Sequence, residues 1–100
     1  MDEAISKLRA LVLSEADNVA ILLDDAAEGE VVTLLDSDFG AVGAVEVRGP
    51  IESYHKAAIR RIGEGESIVK LGERIGRASC PIAVGEHVHV HNVVSARLSR

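Results

Sequence analysis

Every apolar run in this chain is short, and a turn-forming residue follows almost every one of them. No stretch shows helical periodicity over the ten or so residues that an independent helix needs. We therefore predict a mainly β fold of many short strands. One or two short helical turns, over residues 2–9 and near residues 18–26, are the alternative there. The predicted strands cover residues 11–13, 19–23, 31–35, 42–47, 57–62, 67–70, 74–78 and 87–90.

The dipeptide Gly-Glu recurs before several of these strands. It occurs at residues 29–30, 63–64, 65–66, 72–73 and 85–86. Glycine adopts the positive φ that a tight turn requires, so we interpret the dipeptides as turn elements. Their spacing does not match a dinucleotide-binding glycine motif, and the repeat is too short for a solenoid.

Size and composition exclude several classes of protein. A chain of 100 residues is most simply one domain. Two aromatic residues, Phe39 and Tyr54, and a net charge of -5 argue against nucleic-acid binding. Cys80 is the single cysteine, which indicates a reducing compartment. No apolar run reaches the roughly 18 residues of a membrane span, and the N-terminus lacks a basic signal-peptide flank, so a cytoplasmic location is expected.

Charge is distributed unevenly along the chain. Residues 1–47 contain eleven acidic and two basic residues, whereas residues 48–100 contain nine basic and five acidic ones. A positive second half favours attraction of a small anion. The alternative is an ordinary solvated surface of mixed charge.

Three of the four histidines alternate with valine near the C-terminus. In an extended strand, His87, His89 and His91 share one face, and Val88 and Val90 share the other. Neighbouring histidines then lie about 6.6 Å apart, close enough for His87 and His89 to bind one metal ion. The outer pair would lie about 13 Å apart, too far to join it. Acid–base groups and a polar face opposite buried valines are the alternatives.

The fourth histidine begins the pair His55-Lys56, between the turn signal at residues 49–50 and a predicted strand. A proton-transfer group beside a fixed cation suits a substrate carboxylate with an acidic α-proton. An exposed loop pair is the alternative. Loss of that proton also requires a cation that stabilises the enolate, a role that Lys56 or Arg60 would supply.

Three segments taken together resemble a known family. They are residues 17–20 (DNVA), residues 55–62 (HKAAIRRI) with the following GE, IVK and IG elements, and residues 85–92 (GEHVHVHN). Over about residues 10–93 they are similar to the SAF-type domain of altronate dehydratase, galactarate dehydratase and sulfolactate sulfo-lyase. The resemblance implies a β-clip fold for residues 10–93. Residues 1–9 would form an N-terminal extension or short helical turn, and residues 94–100 a C-terminal tail.

The resemblance also implies a function, with the chain as a separate small subunit of a lyase. The lyase would eliminate water from a sugar acid or related 2-hydroxy acid. It would depend on a divalent metal, iron or magnesium, held mainly by a large catalytic subunit without which the chain is inactive. A sulfo-lyase small subunit acting on sulfolactate and a non-catalytic sugar-acid-binding module are the alternatives. In isolation a homo-oligomer is expected.

The predicted site residues fall into three groups. By position in the family's motifs, the catalytic residues are His55 and Lys56, and His91 is a less secure match than its neighbours. The substrate-binding residues are His89, Asn92 and Arg60, and the metal ligands on this chain are His87 and His89.

Overall fold

The computed structural model describes residues 7–95, and within that range the chain forms nine β-strands and no α-helix. The mainly β prediction is therefore confirmed, and the arrangement of two sheets is consistent with a β-clip domain. No helix among these residues is long and apolar enough to cross a membrane. The strands are β1 Arg9–Leu11, β2 Val19–Leu22, β3 Val31–Leu35, β4 Ala41–Glu46, β5 Lys56–Ala58, β6 Ser67–Lys70, β7 Glu73–Ala78, β8 His87–Val88 and β9 Val93–Ser95.

The strands form a sheet of six and a sheet of three. The larger sheet has the order β4-β3-β1-β2-β5-β8, and the smaller sheet has the order β6-β7-β9. Strands β1 and β3 pair in parallel, whereas the other paired strands are antiparallel. Strand β5 therefore begins at the end of the large sheet where β2 finishes, and it finishes where β2 begins.

Two clusters of aliphatic side chains form the core. One lies along the large sheet and includes Leu22, Val32 and Ile51. The other includes Ile68 and Val88 and joins the small sheet to β2, β5 and β8. Full burial of such a side chain contributes about 2 kcal/mol, so short strands of valine, leucine and isoleucine stabilise this fold without a buried aromatic ring among the described residues.

One four-residue turn occurs four times within residues 7–95. The copies are residues 27–30, 52–55, 63–66 and 83–86, and each follows an isolated bridge residue and leads into a strand. In every copy the amide of the fourth residue donates to the carbonyl of the first. The third residue has a positive φ in every copy: Gly29 (86°), Tyr54 (70°), Gly65 (83°) and Gly85 (90°). We call these segments the sister turns.

Three sister turns carry the Gly-Glu dipeptide, which confirms that it is a turn element. In each of these three, the glutamate carboxylate accepts a hydrogen bond from the amide of the turn's first residue: Glu30 from Ala27, Glu66 from Gly63 and Glu86 from Ala83. The turn at residues 52–55 has Tyr54 and His55 at the same two positions. Because it lacks the dipeptide, the sequence pattern did not predict it as a copy.

Several predicted elements differ from those in the structure. The alternative of a helical turn near residues 18–26 is wrong, because that segment contains β2. Just before β2, the Asp17 carboxylate accepts hydrogen bonds from the amides of Leu13, Ser14 and Gly72. The strands predicted at residues 57–62 and 87–90 end early, at Ala58 and Val88, and β9 was not predicted.

The predicted N- and C-terminal segments are only partly described. Arg9 already belongs to β1, and Leu8 packs against the core, while residues 1–6 of the predicted extension or helical turn lie outside the described residues. Val94 and Ser95 belong to β9 rather than to a tail, and residues 96–100 also lie outside the described residues. The division into extension, domain and tail stays a prediction.

Candidate functional site: a histidine cluster

The histidines meet at the end of the large sheet where β5 begins. Strands β5 and β8 pair antiparallel, with Lys56 opposite Val88 and Ala57 opposite His87. His55 is the last residue of the turn that leads into β5. Strand pairing thus brings His55 and His87 together, although 32 positions separate them in the chain.

The chain turns directly after Val88, and Asn92 holds this turn. The Asn92 side chain accepts a hydrogen bond from the His89 amide (3.0 Å) and donates one to the His87 carbonyl (2.9 Å). The predicted strand over residues 87–90 is therefore wrong beyond Val88. As a result Val90 is 81% exposed rather than buried, whereas Val88 is fully buried as predicted.

Four imidazole rings gather around this turn. His55 Nδ1 lies 2.9 Å from His87 Nε2, within hydrogen-bond distance. The His89 ring centroid lies 4.7 Å from that of His55 and 5.2 Å from that of His87. The His91 centroid lies 5.4 Å from that of His87. The predicted separation of the outer histidines does not apply, because it assumed an extended strand and the chain is folded back here.

Charge and burial act together on two groups of the cluster. Partial burial lowers the pKa of His87, and the neighbouring His55, His89, His91 and Lys56 lower it further. Burial also lowers the pKa of Lys56, with a contribution from nearby Lys70. The neutral imidazole is the form that binds metals and accepts protons, so the surroundings of His87 favour both roles.

The cluster fits a metal ion that prefers nitrogen ligands. One ring nitrogen from each of His55, His87 and His89 lies within 4.8 Å of the other two. Bonds of about 2.1 Å in tetrahedral geometry hold nitrogen atoms about 3.4 Å apart, so small movements of the rings suffice. Imidazole suits iron and zinc, whereas magnesium prefers oxygen ligands, so the donor set fits iron and does not fit magnesium.

A small cavity adjoins the cluster. It has a volume of about 260 Å³, with Lys56 and His89 on its polar side and Ile75, Val90 and Val93 among its apolar walls. Lys56 is half-buried, and within residues 7–95 it forms no ion pair with a carboxylate. A half-buried ammonium without an acidic neighbour on a cavity wall favours binding of an anion.

The structure separates Arg60 from the other predicted site residues. Arg60 lies two residues beyond β5, at the opposite end of the large sheet, where its guanidinium donates to the Glu15 carbonyl. There it lines a different cavity, of about 590 Å³, with no histidine among its walls. The substrate-binding roles of Arg60, His89 and Asn92 stay predictions; the shown contacts of the Asn92 side chain are those that hold the turn.

Sequence reasoning missed two residues beside the cluster. Glu52 begins the turn that presents His55, and its carboxylate lies 3.8 Å from His55 Nε2. Tyr54 occupies the turn position with positive φ and is 76% exposed. Both residues could have been found from the sequence by aligning residues 52–55 with the three Gly-Glu turns, because each of those turns is also followed by a strand.

Comparison with known proteins places this geometry in a family. Residues 8–96 match the family model described as the altronate/galactarate dehydratase SAF domain. The altronate dehydratase of Bacillus subtilis is 41% identical over 80 residues, which is 80% of this chain and 15% of that protein. The (2R)-sulfolactate sulfo-lyase subunit alpha of Chromohalobacter salexigens is 35% identical over 88 residues, which is 86% of this chain and 94% of that subunit.

The chain thus spans about a seventh of the dehydratases it matches and nearly the whole of the sulfo-lyase alpha subunits. The altronate dehydratase of Escherichia coli is 40% identical over 76 residues, and the match again covers only a small part of that protein, 14% of its length. The resemblance inferred from the HK, IVK and HVHVHN segments is confirmed. The chain belongs to the altronate/galactarate dehydratase SAF domain family.

Proposed function

We propose that this chain is the small subunit of a metal-dependent lyase, and that a larger subunit completes the site at the histidine cluster. The reaction is elimination of water from a sugar acid or related 2-hydroxy acid. The observation that carries the proposal is the convergence of His55, His87 and His89 beside Lys56, a cation without an acidic neighbour among the described residues.

The residues of this chain divide the work of an elimination. The Lys56 ammonium holds the substrate carboxylate, and His55 removes the proton from the carbon next to it. The electron pair forms a carbon–carbon double bond as the β-hydroxyl leaves, and the protonated His55 returns its proton to that hydroxyl, which leaves as water. The enol product then takes up a proton at the β-carbon, loses the proton of its hydroxyl group and becomes a 2-keto acid. Asn92 holds the turn that orients His89.

A divalent metal belongs to the same proposal. His87 and His89 would hold it, with further ligands from the partner, while His55 keeps its role in proton transfer. When bound, the ion stabilises the negative charge that develops on the enolate. The donor set supports iron over magnesium.

The need for a partner follows from the size of the site. A cavity of about 260 Å³ on the surface of a small domain buries only part of a sugar acid. The (2R)-sulfolactate sulfo-lyase alpha subunits of two bacteria match this chain over 94% of their own length, which supports a separate small subunit. We expect no activity from the chain alone. A cytoplasmic location and a homo-oligomer of the isolated chain remain parts of the proposal.

A sulfo-lyase reaction is the second candidate. It is favoured by those same full-length matches, since the altronate dehydratases match only over 14–15% of their length. Both reactions remove a proton next to a carboxylate and expel a group from the β-carbon, and sulfite needs no proton in order to leave. A non-catalytic sugar-acid-binding module is the third candidate, and it predicts ligand binding without any partner.

The test is reconstitution. The tagged chain is co-purified from its source, and a stable partner of several hundred residues is expected. The complex is then assayed with a sugar acid for 2-keto acid formation and with sulfolactate for sulfite release. His55→Ala is expected to lower turnover at least about a hundredfold, because it removes the proton-transfer group. His91→Ala, the matched change at the imidazole outside the close group of three, is expected to change turnover less than about threefold.

Each result decides something. Formation of 2-keto acid without sulfite supports the hydro-lyase, and the reverse selects the sulfo-lyase. An unchanged rate in His55→Ala removes that imidazole from the mechanism. Sugar-acid binding by the isolated chain, with no partner and no turnover, replaces the lyase proposal with the binding module.

A further inference from the structure

We propose that Tyr54 is the anchor through which the larger subunit docks over the histidine cluster, its ring inserting into an apolar pocket on that subunit. The inference rests on the proposed function in one respect, the existence of a larger partner. It adds the contact that this partner makes.

Comparison of the sister turns shows that a tyrosine is unfavourable at the third position of the turn. The third residue of each turn has a φ between 70° and 90°, and glycine occupies the other three copies. A bulky side chain is rarely found in the left-handed region, because Cβ approaches the backbone closely there. Tyr54 therefore carries backbone strain that a glycine would avoid.

The tyrosine contributes no packing that offsets this strain. A Cβ added at Gly29 or Gly65 meets no atom within 4 Å, so this turn position points into open space in two sister turns. Tyr54 agrees with them, since it is 76% exposed and belongs to neither core cluster. A strained residue that does not stabilise its own domain is typical of a functional surface.

The location of Tyr54 indicates what covers it. His55 follows Tyr54 directly in the chain. The Tyr54 amide donates a hydrogen bond to the Leu22 carbonyl, so the ring is carried by a hydrogen-bonded turn at the rim of the cluster. A subunit that covers His55 therefore lies next to the residue that carries this ring. Tyrosine is enriched among the residues that contribute most to protein interfaces, because it buries a large area with few rotatable bonds.

The charged residues near Tyr54 indicate which charge the partner surface carries. Glu52 is 84% exposed at its side chain, and the neighbouring Ser53 amide is held by the Asp25 carboxylate. One of these carboxylates lies on the turn that carries the ring, and the other is bonded to the backbone of that turn. The complementary surface is an apolar pocket with a basic rim, since opposite charges across an interface speed association and select the partner.

Phe39 provides a matched control within the same chain. It is the other aromatic residue, it has a φ of 63°, and it is 66% exposed. It lies in the loop between β3 and β4, at the opposite end of the large sheet from the histidines. Phe39 and Tyr54 are alike in strain, exposure and ring size, and they differ in their distance from the cluster.

The test measures assembly and turnover of the complex with variants at both positions. Tyr54→Ala is expected to weaken the affinity for the larger subunit at least about tenfold. Tyr54→Phe, which keeps the ring, is expected to change it less than about threefold, and Phe39→Ala is expected to leave it unchanged. At saturating partner concentration, Tyr54→Ala should recover most of the wild-type kcat. Thermal unfolding of the isolated variants confirms that each one folds.

Three results would overturn the inference. The first is unchanged assembly in Tyr54→Ala, and the second is an equal loss in Phe39→Ala. The third is normal assembly with a lowered kcat in both Tyr54 variants, which would make the phenol a group that acts on the substrate. Absence of any larger partner refutes the proposed function instead, so the two failures are distinguishable.

Discussion

The two ends of the large sheet hold their backbone in similar ways and differ in the polar side chains that they leave accessible. At the end where β5 begins, which we call the histidine end, Asn92 fixes a turn by two side-chain hydrogen bonds. At the other end, which we call the Asp17 end, the Asn18 side chain also makes two hydrogen bonds to the backbone, accepting one from the Val69 amide and donating one to the Ser67 carbonyl, both in β6 and beside the Asp17 carboxylate. The histidine end leaves imidazoles and an ammonium open to ligands, whereas the side chains of Asp17 and Asn18 at the other end are bonded to backbone groups.

The comparison shows that buried polar residues do not by themselves mark a functional site. Asp17 is 1% exposed and Asn92 is 3% exposed, and both are satisfied by backbone groups. What distinguishes the ends is the neighbouring polar side chains that the backbone does not occupy. A search for function in this fold therefore looks next to the residues that hold the turns rather than at them.

The largest effect is expected at the Asp17 end. Asp17→Ala leaves three amides of two partly buried loops without their acceptor and should lower the free energy of unfolding by about 3 kcal/mol or more. Denaturant titration measures the loss, and Ser14→Ala, which removes only an exposed contact within the same loop, is the control. Metal affinity of the folded fraction should not change. A loss of metal binding there would mean that the two ends are coupled.

The next effect compares the two asparagines directly. Asn92→Ala and Asn18→Ala each remove two side-chain hydrogen bonds to the backbone, and each should cost about 2 kcal/mol of stability. Only Asn92→Ala is expected to lower zinc affinity, about tenfold or more, because it releases His87 and His89 from their orientation. Calorimetric titration with Zn²⁺ measures this difference. Equal affinities in the two variants would contradict a metal site at the histidine end.

A third comparison concerns the cations at the two ends of β5. Lys56→Met should lower kcat/KM of the reconstituted complex about tenfold, because the substrate carboxylate loses its counter-ion in a partly buried site. Arg60→Met should change it less than about twofold. A large loss in Arg60→Met would restore the predicted substrate contact and place a second part of the ligand at the Asp17 end.

The smallest effect concerns a surface ion pair at the histidine end, Arg9 with Asp24 (3.2 Å). A hydrogen bond from Arg9 holds the pKa of Asp24 below its ordinary value. Its contribution is therefore present above the ordinary pKa of 3.8 and is lost as the pH falls through the lower folded value. The Tm of Asp24→Asn should lie slightly below the wild-type Tm at pH 7, and the gap should close near pH 2. A gap that persists at pH 2 would assign the effect to something other than charge.

Sequence patterns predicted most of the strands and three of the four sister turns, because Gly-Glu signals are local. The sequence patterns gave wrong predictions where a side chain hydrogen-bonds to the backbone of a distant segment or of a turn that reverses the chain. The folding back of the chain after Val88 depends on the Asn92 amide, and alternation of histidine and valine carries no trace of it.

Non-local placement was the second source of error. His55 and His87 come together through the pairing of β5 with β8, which the sequence order does not reveal. Arg60 follows Lys56 by four positions, but an extended chain carries it about 13 Å away and out of the site. Residue type was the more reliable guide: the predicted histidines and Lys56 lie together.

The sister turns also bear on engineering. At residues 52–55 the fold tolerates a histidine where its siblings have a glutamate, so the carboxylate is dispensable for closing the loop. The fourth residue of each sister turn is thus a position at which the side chain can be replaced while the turn is kept. Glu66→His, in a copy at which a Cβ on the preceding glycine would meet no atom within 4 Å, would give a second sister turn an imidazole without disturbing either core. A scaffold of this kind, in which residues 7–95 form strands and loops without an α-helix, lends itself to hosting new metal centres one loop at a time.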